Sequence, residues 1–346
     1  MNTSFQNRRV LLQRSLTMAT AMATQSSAWA QALTPLPAAV PAAVPTTVPT
    51  QLRLLCTGPA GSIPDTIARR YAEALADRYP AGVVVDNRAG AAGQIAIAAL
   101  KLAASDGTTL LLAQGAVATV YPSFYKQLAY DPVADLKPVS LAAEATLALA
   151  VGPSVPDSVT TLSGLIAWLK RNPQQANYGS PGNGTLPHLV GAAFFLQAQT
   201  DAQHVVYNGG PAAMVDLMGG RLAALVLPEG MLRQHASTGR LRVLATSGNG
   251  RSAYMPGVAS FAEQGFSGLV VREWFAFFAP GATSTGTVEV ASSAIRLSAA
   301  NAAVSSALAD AGMQAVASTP SALVLRIASE QREWQAVLRA TGVRAE

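Results

Sequence analysis

The sequence is poor in the residues that carry most enzyme chemistry. Its 346 residues include one cysteine and three histidines, and only 12% are charged. The single cysteine, Cys56, rules out an internal disulfide and a thiolate-based zinc site. It ends the apolar run Leu52 to Cys56, the setting of a buried strand thiol. His188, His204 and His235 lack metal-ligand spacing. No glycine turn carries the Gly-Lys-Ser/Thr of a nucleotide loop. Ser180 has Tyr178 two residues before it where a nucleophile elbow needs glycine. No basic run or aromatic–basic interleaving marks a nucleic-acid surface. No apolar stretch reaches the roughly 20 residues that span a bilayer without charges or prolines. These absences argue against catalysis and leave binding as the first expectation, with no metal and no cofactor.

What is present begins with an address. Arg8, Arg9 and Arg14 form a basic segment without an acidic residue. A weakly polar stretch from Ser15 to Ser27 follows, and Ala28-Trp29-Ala30 fits a small-x-small cleavage site. Residues 1–30 therefore read as an export signal, with a mature start at Gln31 in the periplasm. The Arg8-Arg9 pair is compatible with twin-arginine export. Losing these three arginines takes the formal charge from +5 to +2, which argues further against nucleic acid. Residues 31–50 contain Pro35, Pro37, Pro41, Pro45 and Pro49, which forbid a regular helix or central strand, so they read as an extended tether.

Two glycine-rich turns stand about 120 residues apart, each opening a helix. The first is Pro59-Ala60-Gly61-Ser62-Ile63-Pro64-Asp65, after the strand Leu52 to Cys56. The second is Tyr178-Gly179-Ser180-Pro181-Gly182-Asn183-Gly184-Thr185, before the helix Leu186 to Gln197. Helix N-termini leave N–H groups unpaired and carry partial positive charge. Two such cradles suggest two lobes gripping one small anion. Asp65 is placed to cap the first helix, and His188 to serve backbone groups near the start of the second.

The rest alternates strand and helix. Strands are expected at 83–85, 109–113, 147–151, 204–207, 223–227 and 241–246. Helices are expected at 66–79, 95–103, 162–171, 186–197, 212–218, 288–310 and 320–341. Continuous apolar strands between helices predict an α/β fold with a parallel sheet covered on both faces. The long apolar run Val270 to Ala279 is the candidate for a strand crossing between lobes. Ligands in such sheets sit beyond the carboxyl ends of the strands, where both turns fall.

Several segments together resemble the periplasmic solute-binding proteins of the tripartite tricarboxylate transporter system, the Bug receptors. They include Pro59-Ala60-Gly61 with Asp65, Asp86-Asn87-Arg88-Ala89-Gly90-Ala91-Ala92-Gly93, Asp106-Gly107-Thr108 and Tyr130-Asp131-Pro132. They continue with Asn177-Tyr178-Gly179-Ser180, Gly182-Asn183-Gly184-Thr185 with His188, Asp216-Leu217-Met218-Gly219-Gly220, and Trp274-Phe275 before Ala279-Pro280. The resemblance runs from Leu52 to Glu346. It implies a two-lobed periplasmic binding protein that hinges shut, with the ligand cleft between the lobes. It implies a small carboxylate as ligand, and delivery to membrane transporter subunits by a monomer that is not an enzyme. The same fold could instead deliver its ligand-bound form to a membrane signalling protein.

Carried over by position, the first-lobe contacts are Pro59, Ala60, Gly61, Ser62 and Asp65, with Ala116 after the third strand. The second-lobe contacts are Ser180, Gly182, Asn183, Gly184, Thr185 and His188, with Tyr207, Asn208 and Gly209 in a further loop. Four departures stand out. A phenylalanine usual in the first loop is Gly58, a lysine is Asn208, and the glutamine before the histidine is Pro187. An acidic residue that can receive a ligand ammonium is Leu227, with Glu229 two residues on as a replacement candidate. The loss of that acid favours a ligand without a free ammonium. The C-terminal tail has helices but few strands, so it is expected to pack back on the first lobe. Lobe one is therefore placed at 51–145 plus 275–346, and lobe two at 146–274.

Overall fold

Leu52–Cys56 (β1) sits between two parallel neighbours, Val83–Asn87 (β2) and Thr109–Gln114 (β3). In this computed structural model the described residues are 49–341 and residue 344. The signal segment 1–30 and all of the tether except its last two residues lie outside them. β1 connects to β2 through the helix Ile63–Leu75 (α1), and β2 to β3 through Gln94–Lys101 (α2). On α1, Ile67, Tyr71 and Leu75 recur at helical spacing and are buried, while Arg69 and Arg70 face water. Each such apolar side chain contributes roughly 1.5–3 kcal/mol by leaving water. The Tyr71 hydroxyl donates to the Ala142 carbonyl at 2.7 Å, which locks α1 to the sheet.

Two short helices, Ala116–Thr119 (α3) and Tyr121–Phe124 (α4), lead to a 16-residue strand, Leu136–Val151 (β4). A second parallel set follows. Leu162–Arg171 (α5), Asn177–Ser180 (β5), Leu186–Gln197 (α6), Gln203–Val206 (β6), Gly210–Met218 (α7) and Ala224–Pro228 (β7) succeed one another. Then come Glu229–Ala236 (α8), Arg242–Thr246 (β8), Arg272–Pro280 (β9), Thr285–Ala299 (α9), Ala302–Asp310 (α10), Met313–Ala315 (β10) and Pro320–Thr341 (α11). The strand order is β2-β1-β3-β9-β4-β7-β5-β6, with β8 and β10 also paired to β4.

The sheet is mixed, which corrects the expectation of a parallel one. Strands β2, β1 and β3 are parallel, as are β6, β5 and β7. Every pairing made by β4 or β9 is antiparallel. Continuous apolar residues report that both faces are covered, and carry no information on strand direction. The crossing expected of the run at 270–279 is accompanied by a second long strand. The run at 270–279 forms β9, which pairs with β3 and β4. The strand shared by both parallel sets is β4: residues 136–146 pair with β9, and Leu147–Val151 pair with β7. The early part of β4 is masked in the sequence by Lys137 and Pro138. Pro138 is tolerated because the register shifts beside it. The expected helix 288–310 is two helices, because the Asn301 side chain accepts from the Ala303 N–H at 2.8 Å and caps a new start.

One apolar cluster runs through both halves of the sheet, from Leu55 and Tyr121 past Leu147 to Trp168 and Phe194. The opposite face carries two separate clusters, one around Tyr71 and Phe277 and one around Leu217 and Leu227. Cys56 is fully buried, and burial pushes its thiol up to about 12, as the strand reading expects. No helix among the described residues is long and apolar enough to cross a membrane.

Candidate functional site

Six parallel strands end on one cavity of about 580 Å3, its open mouth included. The β1 end supplies Thr57, Gly58, Pro59 and Ser62. The β2 end supplies Gly90, Ala92 and Gly93, and β3 its last residue, Gln114. From the other half come Pro181 and Thr185 after β5, Asn208 and Gly209 after β6, and Leu227 and Pro228 at the end of β7. Glu273 and Phe275 of β9 complete the wall with Met231. This is the place where sheets of this kind hold ligands.

The first turn is braced from within. Asp65 accepts the Gly61 N–H at 2.9 Å, Asn87 Nδ2 at 3.0 Å and Arg69 Nε at 3.0 Å. Burial opposes ionisation of Asp65, but these donors outweigh it and hold the carboxyl below its ordinary range. The Ser62 hydroxyl donates to the Pro59 carbonyl at 2.6 Å. Ser62 opens α1, with Pro64 in the first helical turn. A side chain at Gly58 would begin 2.2 Å from Ser62 Oγ, so this glycine serves a close approach and opens no extra room.

The second turn is built alike. The Thr185 hydroxyl donates to the Gly182 carbonyl at 2.7 Å while Thr185 stands at the start of α6. His188 Nδ1 accepts the Gly184 N–H at 3.1 Å, where Gly184 has φ +74°. His188 stacks on His204 with centroids 3.8 Å apart, and Ser180 Oγ lies 2.7 Å from His204 Nε2. Burial, reinforced by His204, holds His188 down at about 3; burial holds His204 at about 4. The third loop hangs on the second, since the Gly209 N–H donates to the Pro181 carbonyl at 3.0 Å. Tyr207 points away, its hydroxyl donating to Asp216 at 2.8 Å.

The turns of the two halves touch. A Cβ on Gly182 would sit 3.2 Å from Ala92 Cβ, and one on Gly209 would sit 2.7 Å from Pro59 Cγ. The Tyr125 hydroxyl donates to the Asn183 carbonyl at 2.9 Å. Ala92, at φ +53°, is held by the Tyr121 hydroxyl and by Gln114 Nε2, which donate to its carbonyl at 2.8 and 2.9 Å. The turns of the two halves thus meet beside the cavity, which keeps an open mouth.

Of the sixteen residues singled out in the sequence, Pro59, Ser62, Thr185, Asn208 and Gly209 line the cavity. Gly61, Asp65, Ser180, Gly182, Gly184 and His188 instead shape the turns from behind. Ala60 and Asn183 lie in the turns beside them, outside the lining. Ala116 is buried beside Trp274 and Glu330, and Tyr207 is turned to Asp216. Glu229 also lies off the lining: Ser252 Oγ donates to its Oε1 at 2.7 Å, and its Oε2 is buried without a partner. Burial raises its carboxyl above the ordinary range. Lining residues outside those sixteen include Thr57, Gln114, Ala92, Pro228, Met231, Phe275 and, above all, Glu273. Its signal was an acid set directly before Trp274 in a long apolar strand. No group of three or more potential metal ligands occurs among the described residues.

Residues 67–343 match the tripartite tricarboxylate transporter family receptor, TctC. Protein BugT of Bordetella pertussis is 33% identical over 294 residues, covering 85% of this chain and 90% of that one. A UPF0065 protein from the tcbD-tcbE intergenic region of Pseudomonas sp. is 31% identical over 282 residues, covering 81% and 83%. Among solved structures, one described as a periplasmic transporter is 28% identical with a TM-score of 0.79, covering 85% of this chain and 98% of that one. R. palustris Rpa4515 with adipate is 25% identical with a TM-score of 0.81, covering 85% and 98%. The architecture is therefore that of a two-lobed periplasmic binding protein.

Proposed function

Since the chain belongs to the tripartite tricarboxylate transporter family of receptors, we propose that it captures a small carboxylate in this cleft and delivers it to the membrane subunits of such a transporter. The family is one of receptors, and the chain is a binding protein rather than an enzyme. One observation carries the carboxylate reading. The first turns of α1, α6 and α7, helices of 13, 12 and 9 residues, open on a cavity whose lining includes no lysine, arginine or histidine. An anion there would be held by backbone N–H groups and helix dipoles. The adipate-bound relative supports the same class of ligand.

The proposed lobes are 51–145 plus 275–346, and 146–274. The change of β4 partner between Thr146 and Leu147 supports the first boundary. Contacts of α9 and α10 with α1 support the return of the tail to the first lobe. The proposed unit is a monomer, working in the periplasm after removal of residues 1–30. The test is a thermal-unfolding screen of the mature chain against mono- and dicarboxylates and amino acids. A ligand at a hundred times its Kd should add about 2.7 kcal/mol of stability. The reading expects such a shift from a carboxylate without an ammonium group. A shift from zwitterionic amino acids alone would contradict it, and so would no shift from any carboxylate.

A further inference from the structure

Glu273 is the one titratable side chain among the residues lining the cavity, and it is only 6% exposed. It lies two residues before Phe275 on β9, so the two share a face of the strand, and both border the cavity. No hydrogen bond or ion pair from the described residues reaches its carboxyl group, which borders the cavity. The acids near it are treated differently. Glu144 is paired with Arg326 and Arg272, and Glu330 with Arg326 and the Trp274 indole N–H. Four other polar side chains of the lining are committed elsewhere, while Asn208 has its amide at the cavity. Thr57 donates to Gln114, Gln114 to the Ala92 carbonyl, Ser62 to Pro59 and Thr185 to Gly182.

We propose that Glu273 keeps its proton when the cleft is loaded and donates it to a second carboxylate on the ligand, so that the receptor selects dicarboxylates over monocarboxylates of equal length. This rests on the carboxylate reading above and adds the residue that sets the ligand class. The charge argument has two sides. An ionised Glu273 beside a bound anion would place like charges side by side, and the retained proton removes that repulsion. A cationic ligand group would instead meet the positive ends of three helices. Burial already pushes the Glu273 carboxyl up to about 8. The groups around it do not reverse this. Tyr121 of α4 is buried, donates to Ala92 and has its hydroxyl raised by burial. Gln114 of β3 is neutral. Glu330 of α11 shares a narrow gap with Glu273 and is held by Arg326. Arg272 and Arg326 are both engaged by Glu144. A hydrogen bond from a carboxylic acid to a carboxylate is short and charge-assisted.

The experiment is calorimetry on the mature protein from pH 6 to 9. The probes are succinate, glutarate and adipate against butyrate, valerate and hexanoate, in two buffers of different ionisation enthalpy. Dicarboxylates are expected to bind about ten- to a hundredfold more tightly than their matched monocarboxylates. Their affinity should fall about tenfold per pH unit above the Glu273 value, with close to one proton taken up at pH 9. Glu273→Gln keeps a donor, so it should retain dicarboxylate binding while losing both the pH dependence and the proton uptake. Glu273→Met should lose the preference; if it does not fold, the Gln variant and the proton count decide. Equal binding of the two series would overturn the inference and leave the carboxylate receptor standing. So would an affinity that rises with pH, or loss of binding in Glu273→Gln. If neither series binds, both readings fall.

Discussion

At the scale of single residues, His188 shows how the site spends its side chains. The sequence placed it near the ligand turn, and the structure puts it behind that turn, as acceptor for the Gly184 N–H. Only the neutral ring can accept there, so its depressed pKa and its bond describe one state. The unfolded chain takes up the proton near the ordinary histidine value, well before the folded one. The contribution of His188 is therefore complete above about pH 6.5 and declines as the pH falls towards about 3. Between pH 6.5 and 5 that loss is about 2 kcal/mol. Glu273 acts in the opposite sense, because its raised pKa makes the folded state gain stability as the pH falls from about 8. The test is accordingly a difference. Urea unfolding at pH 7 and pH 5 should show wild type losing about 2 kcal/mol more than His188→Gln. Equal changes in the two proteins would mean that His188 titrates normally. Thr185 teaches the same lesson, since its hydroxyl is used on the Gly182 carbonyl. Residue types at the turns were legible from the sequence. Which of them face the cavity was not, because that depends on how the two halves meet.

At the scale of elements, helices with strong local signals were read to the residue. Leu162–Arg171 begins at Thr161, whose side chain accepts from the Gly164 N–H, and Leu186–Gln197 begins at Thr185. Elements without such signals were missed. α8 follows β7 with no loop, and β10 is three residues long and exists through its pairing with β4. The first eleven residues of β4 are broken up by a lysine and a proline and gain their strand character from β9. Tertiary pairing decided these cases over local propensity. The meeting of the two glycine turns gives an element-scale prediction. Gly182 has no positive φ, and its absent Cβ would already press on Ala92 across the cleft. Gly182→Val should wedge the turns apart and weaken carboxylate binding about tenfold or more, the cost of overpacking being about 1–3 kcal/mol. Calorimetry beside thermal unfolding would check this. Affinity equal to wild type would show that the turns need not touch when ligand is bound.

At the scale of the whole molecule, the two-lobed α/β architecture was legible because strand–turn–helix units repeat, with glycine-rich turns after β1, β2, β5 and β6. The mixed sheet was not, since direction is set by the long excursions before β4 and β9. The resulting molecule has a cavity with helix N-termini, no lysine, arginine or histidine and a single carboxyl group in its lining. Closure around a carboxylate is the central claim, and the structure of the mature protein crystallised with adipate tests it most directly. The account predicts one carboxylate on the first-turn N–H groups of α1, α6 or α7 and the other within hydrogen-bond distance of Glu273. Adipate bound elsewhere on the molecule, or a saturated crystal with this cavity holding only water, would contradict it.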